Sequence, residues 1–546
     1  MKKRFSPDPF VLLLLAAIPV FFVYLGANSI WDANEAFYVE TPKQMLLSGD
    51  YVNPSFNGAP RFNKPVLSYW IVAGLYHLLG VTLTAERIGI ALGAVGIIAA
   101  TFVIGRALRS VPVGALAALL LATAPRFVML SRRIFIDIYL TLFMSLALAC
   151  FMLAQRQPAY RRRYLLLMYA CLGFGALTKG PVAIALPVLV YAAWIVVERR
   201  WNDLGRMMLG PGVLIILVIV VPWYAADYAQ HGTTHITQFF VGENLSRYAT
   251  TMAGERQPLF YLPVLLADLL FPWALLALIP LFTGWAPRAT GESEPDVSLR
   301  RFLWLWIVVI VGVFSFSQTK EDLYILPVVP ALAVLGADAL TRLDFGRGSR
   351  TMRAILAIAG SICLICGVAV YRVFGAPYLN LAGAAAGAVV LAAGGAAAVA
   401  GVAMRRPRAA VLSLAAAFAI FNYLFVIQIL PSSERYKPVL GLARTFKERA
   451  ASSATLASYH LMLPSLVYYA ERPVEDIDAD DRAKAFFGKS NAAWAITSEE
   501  DYERLRRIVP ALCVVDRRPR LDLNLRNIIQ NTPLPMALLV TNACGK

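Results

Sequence analysis

Along its 546 residues the chain alternates long apolar stretches with short polar ones. Fourteen apolar segments can be counted, and thirteen are read as membrane spans: 9–27, 87–105, 111–130, 137–154, 164–177, 182–198, 208–226, 260–284, 302–317, 323–341, 354–374, 380–403 and 409–430. The remaining one, Val66 to Leu79, is too short to span comfortably. Its Tyr69-Trp70 pair and His77 suit a helix lying at an interface. After about residue 431 the pattern changes. Strand-like runs at Ala454–Tyr459, Ala493–Ile496, Leu512–Val515 and Ala537–Val540 alternate with helix-like stretches. Ser498-Glu-Glu-Asp501 opens one of these with a cap and first-turn acids. The pattern predicts a polytopic α-helical membrane protein of about 13 transmembrane helices, residues 1–430, followed by a small C-terminal α/β soluble domain, residues 431–546.

Charge orients the spans. With thirteen of them, and Lys2-Lys3-Arg4 before a retained first helix, the inner loops collect 22 basic residues. The outer loops beyond the first hold six: Arg132, Arg133, Lys179, Arg247, Arg256 and Lys320. That bias follows the positive-inside rule and places loop 28–86 and residues 431–546 outside, on the periplasmic side of a bacterial inner membrane. Counting Val66–Leu79 as a span would invert every later loop. The net charge of +17 is therefore a topology signal and implies no nucleic-acid partner. Mean hydropathy of +0.62 and only 16% charged residues agree with a membrane class. The cysteines form no disulfide framework. Cys363-x-x-Cys366 lies in lipid-phase sequence and reads as apolar filler. Cys513 and Cys544 could pair in an oxidising compartment, which sequence alone does not decide.

Candidate chemistry gathers outside. Asp32 and Glu35 begin a helix after the first span. They can cap it, or one can cap while the other acts as a general base. Asp137, at the outer end of the fourth span, either pairs with Arg132 or Arg133 or supplies a second carboxylate. Lys64, Lys179, Arg247 and Lys320 sit at the outer ends of different spans, two of them beside proline or Gly-Pro turns. Together they suit a phosphate pocket, singly they would be snorkelling anchors. His231 and His235, four apart with Glu243 nearby, are weak candidates for a divalent metal. The C-terminal segment carries no acid–base constellation and is expected to be dispensable for the bond-making step.

The chain resembles the GT-C superfamily of lipid-linked-sugar glycosyltransferases, in particular the bacterial aminoarabinose transferase and protein O-mannosyltransferase family. The resemblance rests on Asn34-Glu35-Ala-Phe-Tyr38 with Met45-Leu-x-Ser48-Gly49-Asp50, and on Asn57-Gly58 through Arg61-Phe-Asn63-Lys64-Pro65 to Tyr69-Trp70. It continues through Asp137-x-x-Leu140-Thr141, Leu177-Thr-Lys179-Gly-Pro181, Pro222-Trp223-Tyr224, Pro272-Trp273 and Lys320-x-x-x-Tyr324-x-Leu326-Pro327. It implies inverting transfer of a sugar from a polyprenyl-phosphate donor to an envelope glycan, lipid or protein acceptor, with Glu35 and Asp137 as acids and Lys64 as a phosphate contact. Asn34, Tyr38, Asn63 and Tyr324 are expected to line the substrate. Three positions depart from the family pattern. Asn34 stands where its first catalytic aspartate would be, Phe37 where it has an arginine, and Asn63 where it has a glutamate. A base is then expected from Glu35 or Asp32. Glu35, Asp137, Lys64 and another cation are expected to line one cavity, with the carboxylates a sugar's width from the cations. Two other functions compete: a transporter or flippase, disfavoured because the spans hold few deep ionisable groups apart from Asp268 and Asp338, and a non-catalytic binding protein, kept open by Asn34.

Overall fold

The computed structural model describes residues 8–32, 34–249, 258–277, 293–342, 350–375, 377–489, 492–521 and 525–544. It is mostly helical. Eight helices among the described residues are long and apolar enough to cross a membrane: Leu83–Leu108, Ile136–Arg156, Leu209–His231, Glu294–Phe316, Asp322–Arg342, Arg350–Gly375, Ala384–Ala403 and Pro407–Tyr436. The other five expected spans fall on shorter or interrupted helices. Pro9–Phe21, Val111–Thr123 and Val182–Glu198 are apolar but short. Ala124 is extended ahead of Pro125, which splits the third expected span into Val111–Thr123 and Pro125–Leu130. Arg161–Lys179 has the length, but three arginines open it. The expected span 260–284 is described only to residue 277.

The helices that frame the site are α1 (Pro9–Ala17), α2 (Asn34–Ser48), α3 (Leu67–Leu79), α4 (Leu83–Leu108), α5 (Val111–Thr123), α6 (Pro125–Leu130), α7 (Ile136–Arg156), α8 (Arg161–Lys179), α9 (Val182–Glu198) and α10 (Leu209–His231). Helix α3 has 13 residues, about 20 Å at 1.5 Å per residue, short of a hydrocarbon core of about 30 Å. It buries Tyr69, Val72 and Tyr76 and leaves Trp70, Leu78 and Leu79 exposed. Close helix packing relies on small residues. A Cβ on Gly105 of α4 would meet the Gly114 Cα of α5 at 2.8 Å, so the backbones touch there.

Residues 438–541 form a five-stranded sheet with helices on both faces. The strands are β3 (Thr455–Tyr459), β4 (Glu475–Ile477), β5 (Ala493–Ser498), β6 (Cys513–Pro519) and β7 (Met536–Thr541), after a two-stranded hairpin of β1 (Ser55–Phe56) and β2 (Ala59–Pro60). Their order is β4-β3-β5-β7-β6. Strand β3 runs parallel to β4 and β5, and β7 antiparallel to β5 and β6. Alternation sets the two cores. Leu456, Trp494, Ile496 and Leu539 pack on Leu442 and Phe446, whereas Tyr459, Ala495, Leu538 and Val540 pack on Phe486, Phe487 and Leu505. Ser498 caps its helix by accepting from the Asp501 N–H at 3.0 Å, as its sequence predicts. Cys513 and Cys544 are disulfide-bonded.

This C-terminal layer grips the first loop. Asn28 and the Ser29 N–H donate to Glu434 at 3.0 and 2.9 Å. Lys437 donates to the Ser29 carbonyl at 2.9 Å and stands 3.9 Å from the Trp31 ring centroid. Tyr469 accepts from the Ile30 N–H at 2.6 Å. Asp32 accepts from the Ser465 N–H and hydroxyl at 2.7 and 2.6 Å. Burial pushes the Asp32 carboxyl up and the Lys437 ammonium down to about 8. A segment expected to be dispensable for the bond-making step thus holds the loop that leads into α2.

Candidate active site

A cavity of about 550 Å³ opens where several elements end. Helix α2 contributes Asn34 and Tyr38, the loop after β2 contributes Lys64, and residues 322–328 contribute Tyr324. Asp137 enters from the first turn of α7 and Lys179 from the last turn of α8. Both positions favour their charge: a helix N-terminus stabilises an anion and a C-terminus a cation. Gly180 ends α8 at φ +85°, and its N–H donates to the Ala176 carbonyl at 2.8 Å. A Cβ there would lie 2.5 Å from Phe239, so glycine is needed both for the turn and for that contact.

Several ion pairs line the cavity. Lys179 bonds Asp137. Lys64 pairs with Glu243 at 3.0 Å, and Asn63 donates to the other Glu243 oxygen at 2.8 Å. The Lys179 ammonium also stands 5.0 Å from the Tyr324 ring centroid. Carboxylates and cations are therefore in contact rather than a sugar's width apart. Tyr38 stacks on Tyr69, and burial holds its phenol well above the usual range, so it stays protonated. Arg61 lies 3.9 Å over the Phe37 ring, so a guanidinium stands beside the position where the family has an arginine.

The structure does not bring every candidate here. Glu35 lies behind the cavity wall, with no exposed surface. Its carboxylate accepts from Arg87 at 3.0 Å and from the Trp31 N–H at 2.8 Å. Burial alone would raise its pKa, but the Arg87 and Arg133 charges and these hydrogen bonds hold it below the usual carboxylate range. Arg87 also donates to the carbonyls of Leu25, Asn28 and Ser29. Glu35 is thus a buried counter-ion. Asp32 is committed to Ser465 rather than to the cap of α2. Lys320 is 6% exposed and donates to the Ser317 carbonyl, a backbone partner rather than an open pocket. The Arg247 side chain lies outside the described residues. His231, His235 and Glu243 do not converge on a metal. His231 meets Asn53 at 2.7 Å, His235 meets Asp227 at 2.6 Å, and the Phe62 ring packs on both imidazoles. Among the described residues no group of three or more His, Cys, Asp or Glu side chains could hold a metal. Arg126, Arg133 and Asp322, which sequence reasoning did not select as site residues, line the cavity. A signal for Arg133 was present: Arg132-Arg133 is the densest basic pair in the outer loops beyond the first, which the charge bias otherwise keeps poor in cations.

Superposition on known structures adds a comparison over nearly the whole chain. ArnT from Cupriavidus metallidurans matches in its apo state with TM-score 0.76 and 25% identity, covering 97% of both chains. The same protein bound to undecaprenyl phosphate matches with TM-score 0.78 and 24% identity, covering 98% of both. The chain has the GT-C membrane fold. Residues 10–240 match the family described as dolichyl-phosphate-mannose-protein mannosyltransferase. In sequence the chain is 34% identical, over 356 residues, to the undecaprenyl phosphate-alpha-4-amino-4-deoxy-L-arabinose arabinosyl transferase of Edwardsiella ictaluri, covering 64% of this chain and 61% of that one. It is also 34% identical to the enzyme of the same name from Pseudomonas paraeruginosa, over 68% of this chain and 65% of that one. The chain thus spans less than two thirds of the length of these relatives. The resemblance read from the Lys64-Pro65, Asp137 and Tyr324 motifs is supported by both kinds of comparison.

Proposed function

We propose that this protein is a glycosyltransferase that moves a sugar from a polyprenyl-phosphate donor to an envelope acceptor, with inversion, at the outer face of the bacterial inner membrane. One observation carries the reading. Four separate elements bring Lys64, Asp137, Lys179 and Tyr324 to one cavity with apolar walls. Cations suit the phosphate, and the walls, among them Val182, Val313 and Phe314, suit the lipid chain. The names of the relatives support a polyprenyl-phosphate donor, and ArnT has been solved with such a lipid bound.

The ion pairs act as placeholders. A donor phosphate attracts Lys64 and Lys179 and competes with Glu243 and Asp137 for them. Asp137, released from Lys179, can then accept the proton of an acceptor hydroxyl. The hydroxyl oxygen bonds the anomeric carbon as the carbon–oxygen bond to phosphate breaks, and its electrons stay on the phosphate, which the two ammoniums stabilise. Glu35 and Arg87 hold α2 and its Asn34 and Tyr38 in place, so Glu35 is a positioning residue. The disulfide between Cys513 and Cys544 supports an oxidising compartment for a domain of residues 431–546, as the loop charges do. A second reading, a binding protein for the same lipid-linked sugar, is favoured by Asn34 alone, because an amide in the cavity cannot act as a base. Sugar transfer from a radiolabelled polyprenyl-phosphate sugar in proteoliposomes separates the two. Binding without transfer to any envelope acceptor fraction would refute the enzyme.

A further inference from the structure

A second cavity, of about 320 Å³, lies among the segment after α1, helix α6 and residues 425–433. Most of its wall is apolar, with Leu25, Met129, Leu381, Phe425 and Ile429. Four arginines also line it: Arg87, Arg126, Arg132 and Arg133. Two of them are matched, Arg87 by Glu35 at 3.0 Å and Arg126 by Asp322. Neither Arg132 nor Arg133 has a carboxylate within ion-pair distance among the described residues. Arg132 is 5% exposed, and its terminal amino groups donate to the carbonyls of Val20 and Val23. Arg133 rests against the rings of Trp31 and Phe135, 4.5 and 4.9 Å from their centroids. The Nε of each is buried without a partner. A buried charge is costly unless an opposite charge meets it. Here, at the edge of an apolar chamber, Arg132 has none, and Arg133 feels only the charge of Glu35, which Arg87 already pairs. Their ends of the helices are those that the loop charges place outside.

We propose that this cavity is a second lipid site, taking a phosphate-bearing amphiphile with its head group on Arg132 and Arg133 and its hydrocarbon chain along the apolar wall. Adjacent guanidinium forks suit a phosphate, and basic pockets between membrane helices bind lipid head groups. A free anion would leave the apolar wall unused. Arg126 and Arg133 line both cavities, so the two ligands' head groups meet across them. That juxtaposition rests on reading the neighbouring cavity as the donor site, whereas binding at the second site does not.

The test uses the full-length purified protein and dodecyl phosphate as probe, with inorganic phosphate and dodecanol as the other arms. A Lys64→Ala background weakens the first site. Arg132→Gln/Arg133→Gln keeps amide donors for the carbonyls while removing both charges, and should weaken dodecyl phosphate in that background by about tenfold or more. Leu430→Trp narrows the apolar wall without touching an arginine, so it keeps the test decisive if the arginine variant fails to fold, and it should also lose the probe. Unchanged binding in the variants that fold overturns the proposal. So does inorganic phosphate binding as tightly as dodecyl phosphate, or dodecanol doing so. Absence of sugar transfer with intact Arg132-dependent binding would count against the enzyme reading and leave this site standing.

Discussion

Replacing Glu35 with glutamine separates a buried counter-ion from a catalytic base. Glu35 has no exposed surface and Arg87 is 2% exposed, so their 3.0 Å pair is fully desolvated. Removing one partner of such a pair costs about 3–5 kcal/mol, because the remaining charge stays buried. An unfolding entropy of about 2.1 cal/mol/K per residue, over 546 residues, gives roughly 1.1 kcal/mol per kelvin. Glu35→Gln should therefore lower the melting midpoint by about 3–4 °C in detergent, read by a thermal shift assay. Arg87→Met in the same background removes the arginine charge, left with only Glu86 at 3.5 Å, and should recover part of that loss. Turnover should fall together with loop order, measured as faster hydrogen exchange over residues 28–32. Two results would refute the reasoning. One is an unshifted midpoint with turnover down by about two to four orders of magnitude, which is the signature of a base. The other is a double variant no more stable than the single one.

Asp137→Asn should lower turnover by about 10²–10⁴ with donor affinity unchanged or improved, in radiolabel transfer and lipid-binding assays, because Lys179 is freed as the base is lost. Lys64→Ala should weaken donor binding by about 1.5–3 kcal/mol. Glu243→Gln should act oppositely and tighten it by about twofold to fivefold, since it releases Lys64, and equal weakening by both would exclude the placeholder role. Glu434 has its carboxyl held low: burial opposes this, but Lys437 and the hydrogen bonds from Ser29 and Asn28 prevail. Its stabilising share is present above the unfolded carboxyl pKa and is lost as pH falls through the folded value. Hydrogen exchange over residues 28–32 should therefore quicken on acidification in the native protein, and Glu434→Gln should remove that part of the response. Cysteine-accessibility labelling should find Arg162→Cys protected from outside reagents and residues 431–546 reachable, and the reverse pattern would overturn the topology.

Much of the fold was legible in the chain because lipid imposes a one-dimensional rule. Each span must be apolar over enough residues to satisfy its own backbone, and flanking charge sets its direction. Hence the helices and the short, interfacial-length Leu67–Leu79 follow from local pattern. The strands of the C-terminal layer were legible for a similar reason, since alternation records two buried faces, although the three-residue β4 carries too little pattern to be read. Motif spacing also singled out Lys64, Asp137, Lys179 and Tyr324, which line one cavity. Pairing was different. Whether Glu35 faces a cavity or Arg87, whether Asp32 caps its own helix or holds Ser465, and whether Arg132 meets a carboxylate depend on residues about 50, 430 and 100 positions away. A charge is equally acceptable at a polar loop position in all of these arrangements. Only the desolvation imposed by tertiary packing makes one partner necessary, and that is why the ion pairs, the grip of residues 434–469 on the first loop and the arginine-lined second cavity belong to the folded structure alone.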